Sequence, residues 1–338
     1  MTSADESRET PAFGVSATEA PVALGFGELV VPEEAATAAE QPAAPEGGEA
    51  QTTGGIARQI ARVFLEHKLA VVSLAFIVLM ILFCWVGPLV YHTQQVNQQA
   101  VLLNIENGPP GATGHPLGTT NTGFDVLGRI MYGGQVSLTV GLLSALVATV
   151  VGVVYGAIAG FFGRWLDAFL MRVVDIVLSI PALFLLIALV TIFHSSEPLL
   201  ILVIAGISWL IPARLVRGET LSLRTREYVQ AVRAMGGRGP RIIGRHIIPN
   251  AIGTIVVFAT FQVATSILLL AALGFLGFGV PAPQTDWGTM LSNAVDAAAN
   301  GWWWEIYPVG ICIVLVVVAF NFIGDALRDS LEVRTQRR

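Results

Sequence analysis

Long apolar blocks separated by short polar segments dominate the chain from residue 69 onward. Leu69 to Val90 is 22 residues without a charge, Ile130 to Gly163 is 34, and Ile176 to Ser196 is 21. His246 to Thr285 runs for 40 residues without Asp, Glu, Lys or Arg, and Ile306 to Gly324 adds 19. Pro198 to Ala213 is a shorter run of 16, flanked by Arg214 and Arg217, whose long stems can carry their charges out to the interface. About 20 apolar residues cross a bilayer as a helix. The pattern predicts an all-α integral membrane fold with six transmembrane helices, over about 69–90, 135–162, 173–193, 198–216, 252–277 and 305–324.

Finer features sit within these blocks. Ala148, Gly152, Gly156 and Gly160 recur every four residues and lay one smooth stripe along the second span, suited to close helix approach. Pro181 falls inside the third span, where its ring and missing N–H should kink the helix or open it. Two outer segments, 91–133 and 278–304, are long. Trp302, Trp303 and Trp304 precede the last span and suit a headgroup belt. Asp286 to Ala299 fits a short amphipathic helix on the outer surface. Arg172–Asp175 and Asp325–Arg328 stand three apart, a spacing at which helical side chains can neutralise each other.

Basic residues give the orientation. With the N-terminus inside, 18 of the 19 Lys and Arg fall on the cytoplasmic side and only Arg129 lies outside, so both termini are expected in the cytoplasm. The net charge of −5 hides an asymmetry: residues 1–55 hold ten Asp or Glu and a single base, Arg8, whereas the rest holds 18 basic and 14 acidic residues. Residues 1–55 are rich in Ala, Pro, Glu, Gly and Thr and read as a disordered acidic cytoplasmic leader, too acidic and too short of apolar residues for a signal peptide. Residues 56–338 then form the six-span domain. Composition agrees: 13 % charged residues is about half the share in an average soluble domain.

Several chemistries are excluded. The only lysine is Lys68, which follows His67, so no Gly-Lys-Ser/Thr phosphate loop exists and the chain cannot hydrolyse ATP that way. Cys84 and Cys312 both lie in apolar runs, and the five histidines are scattered; neither a disulfide framework nor a metal site is expected. The spans contain polar Gln262 and Asn321 but no charge at mid-membrane, which disfavours a proton-coupled carrier. No charged ring or carbonyl filter marks an ion channel. No nucleophile and base share a span, so no catalytic residue is assigned.

The strongest local feature is the cytoplasmic stretch between the fourth and fifth spans, about 217–250, within a run of eight arginines from Arg214 to Arg245. Glu227 to Met235 reads as a short helix with Tyr228, Ala231 and Met235 on one side. Gly236-Gly237-Arg238-Gly239 supplies a turn, and Pro240 suits the first position of a second short helix ending at Arg245. Pro249-Asn250 marks re-entry into the membrane. A helix, a glycine turn and a helix beneath a bilayer make a docking knob; an ordinary basic inside loop would carry the same arginines.

Spacing separates the two. The stretch resembles the signature loop of ABC importer permeases, E-A-A, then Gly, then I-x-L-P after nine residues. Gln230-Ala231-Val232 stands at the first element, Gly236 at the glycine, and His246-Ile247-Ile248-Pro249 at the last, with Gln230 in place of Glu, Val232 of Ala and Ile248 of Leu. The Glu227-Tyr228-Val229 lead-in and the His246 to Asn250 ending look like the dipeptide, oligopeptide and nickel branch. So do His115-Pro116-Leu117-Gly118-Thr119 through Arg129, Leu273 to Gly279 with Pro281, and Trp287 to Leu291; Thr120 and Phe124 depart where the branch commonly has Asp and Arg. The resemblance covers about residues 58–330 and is specific to the C-type permease partner.

That resemblance implies the type I ABC importer permease fold and a transport subunit in the cell membrane that is not itself an enzyme. It implies a second, B-type permease completing the pathway, two ABC ATPase subunits (or one fused ATPase) binding ATP and Mg, an extracytoplasmic solute-binding protein, membrane lipid, and no nucleic acid. It places ATPase coupling on Glu227, Tyr228, Gln230, Ala231, Val232, Gly236, His246, Pro249 and Asn250. The solute would be a di- or oligopeptide or a related compound such as a nickel chelate or haem, bound at residues the sequence does not name. A stand-alone carrier or channel, or a membrane scaffold, is the alternative.

Overall fold

The computed structural model describes residues 64–336 except positions 96 and 103. The expected leader, 1–55, lies outside the described residues, as do Arg58, Arg62, Arg337 and Arg338. The described chain is helical, with no strand among the described residues beyond one isolated Thr119–Asp125 bridge. We number the helices α1 (Lys68–Val90), α2 (Gln98–Val101), α3 (Val126–Phe162), α4 (Arg164–Leu178), α5 (Ala182–Phe193), α6 (Glu197–Ser208) and α7 (Leu210–Leu223). There follow α8 (Glu227–Ala234), α9 (Gly239–Ile242), α10 (Ile248–Phe275), α11 (Trp287–Asn293), α12 (Val295–Ala299) and α13 (Trp303–Gln336).

Four helical stretches are long and apolar enough to cross a membrane alone: Lys68–Val90, Val126–Phe162, Gly239–Phe275 and Trp303–Leu331. The count becomes six if two bent pairs each make one span. The segments expected as the third and fourth spans are these pairs, and the third bends where Pro181 was expected to kink or open it. At Pro181 the α4 and α5 axes diverge by 82°, because Pro181 takes an extended ψ of 126° and begins a new helix. Between α6 and α7 the bend is 42° at Trp209, three residues before Pro212, whose missing N–H leaves the Ser208 carbonyl without its helical partner.

Helix α3 runs through the middle and packs on α1, α6, α7 and α10. It starts nine residues before the expected 135, because Asp125 caps it: its carboxylate accepts from Gly128 N at 2.6 Å. The stripe of small residues receives α7. A Cβ on Gly152 would meet Pro212 Cβ at 2.5 Å, and one on Gly160 would meet Thr220 Cβ at 2.7 Å, so helix backbones lie almost in contact there. Inside a bilayer such close packing, rather than exclusion of water, holds helices together.

Two clusters fill the membrane portion. One joins α1, α3, α10, α11 and α13 around Cys84, Leu138, Trp287 and Val316; the other joins α3 to α7 and α10 around Val174, Leu186, Leu200, Ile204 and Leu270. Leu69, Val72, Leu79, Leu82 and Leu89 of α1 point outward, as a lipid-facing helix requires.

The 287–299 segment is two short helices, and it does not float on the surface. Trp287 is wholly buried; its Nε1 donates to Ile130 O at 3.0 Å and its backbone N to Ser137 Oγ at 3.1 Å. Asp286 caps α11, accepting from Thr289 N at 3.0 Å and Thr289 Oγ1 at 2.6 Å, while burial pushes its carboxyl above the usual range. Of the expected tryptophan belt, Trp303 is exposed but Trp304 turns into the core. Asp175 pairs across the fold with Arg214 of α7, and not with the neighbouring Arg172 three residues before it.

Candidate functional site

The segment from Arg224 to Asn250 is tied down from behind and open in front. α8 has a high contrast between its faces. Val229 is wholly buried and Val232 partly so, against Phe161, Val216, Ile242 and Ile247. The opposite face presents Tyr228, 41 % exposed, Ala231, and Met235, 79 % exposed. Glu227 and Gln230 are exposed as well. The side expected from sequence to share Tyr228, Ala231 and Met235 is therefore the free face. An apolar methionine and a tyrosine left in water on a helix anchored at its back mark a contact surface.

Gly236 has a specific structural task. It sits just past the α8 end with φ +83, and the turn is closed by Gly236 N to Arg233 O at 3.0 Å and Gly237 N to Val232 O at 2.9 Å. This is the paired-bond helix stop that wants a left-handed residue, usually glycine. A Cβ on Gly236 would meet nothing within 4 Å of this chain, whereas one on Gly237 would strike Val232 Cγ1 at 2.7 Å. Within this chain Gly236 is thus required for its dihedral and not for space.

The second half of the loop differs from expectation. The short helix ends at Ile242, and residues 243–247 form one wider turn in which Ile248 N reaches back five residues to Ile243 O. Pro249 follows immediately. A proline inside a helix clashes with the carbonyl four residues back and removes a donor, and a widened turn relieves both. Helical backbone therefore continues unbroken from Gly239 to Phe275, through the Pro249-Asn250 point expected to mark re-entry into the membrane. Asn250 Nδ2 donates to His246 O at 2.5 Å, so these two residues secure the widened turn; Asn250 and Pro249 are exposed and His246 half-buried.

The arginine run divides into two groups. Arg217 makes a two-pronged pair with Asp167, Nε at 2.5 Å and Nη2 at 2.7 Å. Arg224 Nη1 donates to Gly160 O at 2.8 Å, Arg214 pairs with Asp175, and the Arg233 guanidinium lies 4.9 Å from the Phe161 ring centre. These four fasten the loop and α7 to α3 and α4. Arg226, Arg238, Arg241 and Arg245 are exposed and make no ion pair among the described residues. Sequence spacing missed the Asp167 and Asp175 pairings, which join residues 50 and 39 positions apart.

The loop is thus a small helix held on the end of the central span, with an open apolar face and a glycine stop. No group of three or more His, Cys, Asp or Glu among the described residues could hold a metal ion.

Similarity to known proteins places the chain. Residues 152–337 match the family described as binding-protein-dependent transport system inner membrane component. Residues 56–110 match the N-terminal TM domain of oligopeptide transport permease C. The dipeptide transport system permease protein DppC of Alkalihalophilus pseudofirmus is 38 % identical over 86 % of this chain and 94 % of its own length. A putative peptide permease protein of Brucella suis biovar 1 is 39 % identical over 84 % of this chain and 93 % of its own. The oligopeptide transport system permease protein OppC of Haemophilus influenzae is 37 % identical over 80 % and 86 %. Among solved structures, a chain in the inward-facing MetNI methionine ABC transporter superposes with a TM-score of 0.51 at 21 % identity, over 60 % of this chain and 96 % of that one. The first match spans α8, its glycine stop and the widened turn as well as the helices that hold them, and the chain belongs to the family of inner membrane components of binding-protein-dependent transport systems.

Proposed function

We propose that this membrane permease imports di- or oligopeptides, or a closely related solute, as half of a pathway completed by a second permease. In this reading α8 and the turn at Gly236 seat in a cleft of a separate ATPase. Two ATPase subunits, or one fused ATPase, bind ATP with Mg, close, and carry α8 with them. The pairs Arg217–Asp167 and Arg224–Gly160 pass that motion to α4 and α3, so the helices rock together. The observation that carries the coupling role is the exposed Tyr228-Ala231-Met235 face on a helix whose back is buried. The peptide assignment draws on what the relatives are named for transporting. An extracytoplasmic binding protein would deliver the solute, and both termini would lie in the cytoplasm with the basic residues.

Affinity purification of the tagged chain in mild detergent, with mass spectrometry of what comes with it, tests this assembly. Recovery of a second permease and a Walker-motif ATPase is the expected result. A folded chain recovered alone, and moving solute in liposomes without nucleotide, would establish the stand-alone carrier or channel instead. The same preparation tests the leader: a chain lacking residues 2–50 is expected to assemble in normal yield, and loss of the ATPase from that preparation would give the leader an assembly role.

A further inference from the structure

The coupling loop sits at one end of α3, and the other end holds a polar cavity of about 360 Å³. From Arg129 to Phe161 the α3 axis rises roughly 48 Å at 1.5 Å per residue, so the two features are a membrane thickness apart. The volume falls within the range of about 300–1,000 Å³ typical of small-molecule sites. Arg129 and Glu197 both line it, together with Gln95, Gln135, Tyr132 and Trp85.

Arg129 is the single basic residue that the charge pattern leaves outside. Its Nη1 donates to Pro283 O at 2.8 Å and more weakly to Gln95 O at 3.5 Å, and its guanidinium lies 3.8 Å from the Phe124 ring centre. These contacts fix the plane of the group and use one of its nitrogens, out of five N–H donors. Among the described residues no carboxylate comes within ion-pair distance of it; Glu305, which lines an adjoining cavity of about 30 Å³ with Arg129, stays outside that distance too. A fixed guanidinium with free donors is a carboxylate receptor. Glu197 opens α6 and also lacks an ion pair among the described residues.

Gln95 supplies an independent sign of a ligand. It is 3 % exposed; its Nε2 donates to Thr93 Oγ1 at 3.0 Å and to Asp125 O at 3.4 Å, and its Oε1 is buried without a donor. Buried acceptors are almost always satisfied, and Gln95 is one of the residues that line the cavity. A ligand N–H would complete it. One cation, one carboxylate and one amide acceptor around a space of this size match the three polar parts of a short peptide: its terminal carboxylate, its terminal ammonium and its amide.

We infer that this cavity is a peptide station on the transport pathway, in which Arg129 receives the α-carboxylate, Glu197 the α-ammonium and Gln95 Oε1 an amide N–H. The inference rests on the peptide-import reading above and adds the residues that recognise the solute within this chain.

The test uses the complete transporter in proteoliposomes with its binding protein and internal ATP, in the geometry that supports import. Three probes are supplied: a mixture of dipeptides, the same mixture amidated at the C-terminus, and the same mixture acetylated at the N-terminus. Imported peptides are quantified by mass spectrometry. Arg129→Gln is expected to lower import of the free peptides about tenfold relative to the amidated ones, the loss of about 1.4 kcal/mol of discrimination. Arg129→Lys should fall between, and Glu197→Gln should shift the free-to-acetylated ratio in the same way. The ratios matter because a merely structural defect lowers all three probes alike. Wild-type ratios in Arg129→Lys and Glu197→Gln, in complexes that import, would overturn the station and leave the importer reading standing. A wild-type complex that imports none of the three would overturn the peptide reading itself.

Discussion

Replacing Gly236 with arginine is expected to abolish ATP-dependent uptake while leaving membrane insertion and the yield of folded chain unchanged. Two effects separate cleanly at this position. The first is the backbone: any L-residue other than Asn or Asp at φ +83 costs about 1–2 kcal/mol, a local cost in a short helix stop. The second is the side chain, which meets nothing of this chain because the space around a Gly236 Cβ is empty to 4 Å. An arginine there projects beside the exposed Tyr228, Ala231 and Met235. If that face seats in an ATPase cleft, a long charged side chain prevents seating, and losing one central contact of such an interface costs about 2 kcal/mol or more, roughly thirtyfold in affinity. Gly236→Asn tolerates the left-handed backbone and Gly236→Ala adds only a methyl group, so both should keep most of the uptake. Uptake assayed with assembly measured by size exclusion distinguishes the cases. Equal losses in the alanine and arginine variants would assign the effect to the turn alone, and normal uptake by the arginine variant would remove the coupling role from this loop.

How far these features could be read from sequence depends on how local their causes are. The small-residue stripe, the bend at Pro181 and the glycine stop after α8 depend on a few neighbouring residues, and each is visible as spacing. The orientation of α8 is visible only in part: its periodicity groups Tyr228, Ala231 and Met235 but does not say whether that group faces in or out, since Val229 and Val232 are equally apolar. The widened turn ahead of Pro249 was not legible, because it uses ordinary residues, Ile243 to Ile247, with no signature of their own. The burial of Trp287 and Trp304 depends on partners from α1, α3 and α13, so a belt of tryptophans and a plug of tryptophans look alike in the sequence. The pairs Arg214–Asp175 and Arg217–Asp167 join residues 39 and 50 positions apart and exist only once α4 and α7 are packed, which no local spacing supplies. The cavity beside Arg129 likewise gathers residues from 85 to 285 and exists only once α1, α3 and α6 are packed.

The α3–α7 contact should be the most sensitive joint in the molecule, and Gly156→Leu is expected to destabilise it far more than any glycine change on the surface of α7. A Cβ on Gly156 would lie against the backbone of α7, pressing on the Ala213 carbonyl, with Arg217 N at 2.9 Å and Ala213 C at 3.1 Å. Those atoms belong to a helix and cannot turn away as a side chain would; the whole of α7 has to move outward. Such a shift strains Arg217–Asp167 and Arg224–Gly160, the contacts that tie α7 and the start of the loop to α4 and α3, and opens the packing of Ala157, Val153 and Val216. Overpacking of this kind costs about 1–3 kcal/mol, enough to lower the temperature at which the complex is lost. Gly218→Ala on the same helix meets nothing within 4 Å, and alanine is the better helix former by up to about 1 kcal/mol, so that variant should match or exceed the parent. Thermal inactivation of the purified complex, followed by loss of the monodisperse peak after heating, reads the difference. A Gly156→Leu complex as heat-resistant as Gly218→Ala would mean that α7 does not lie against α3 in the membrane, and the route from the loop at Gly236 to the central helix would have to run elsewhere.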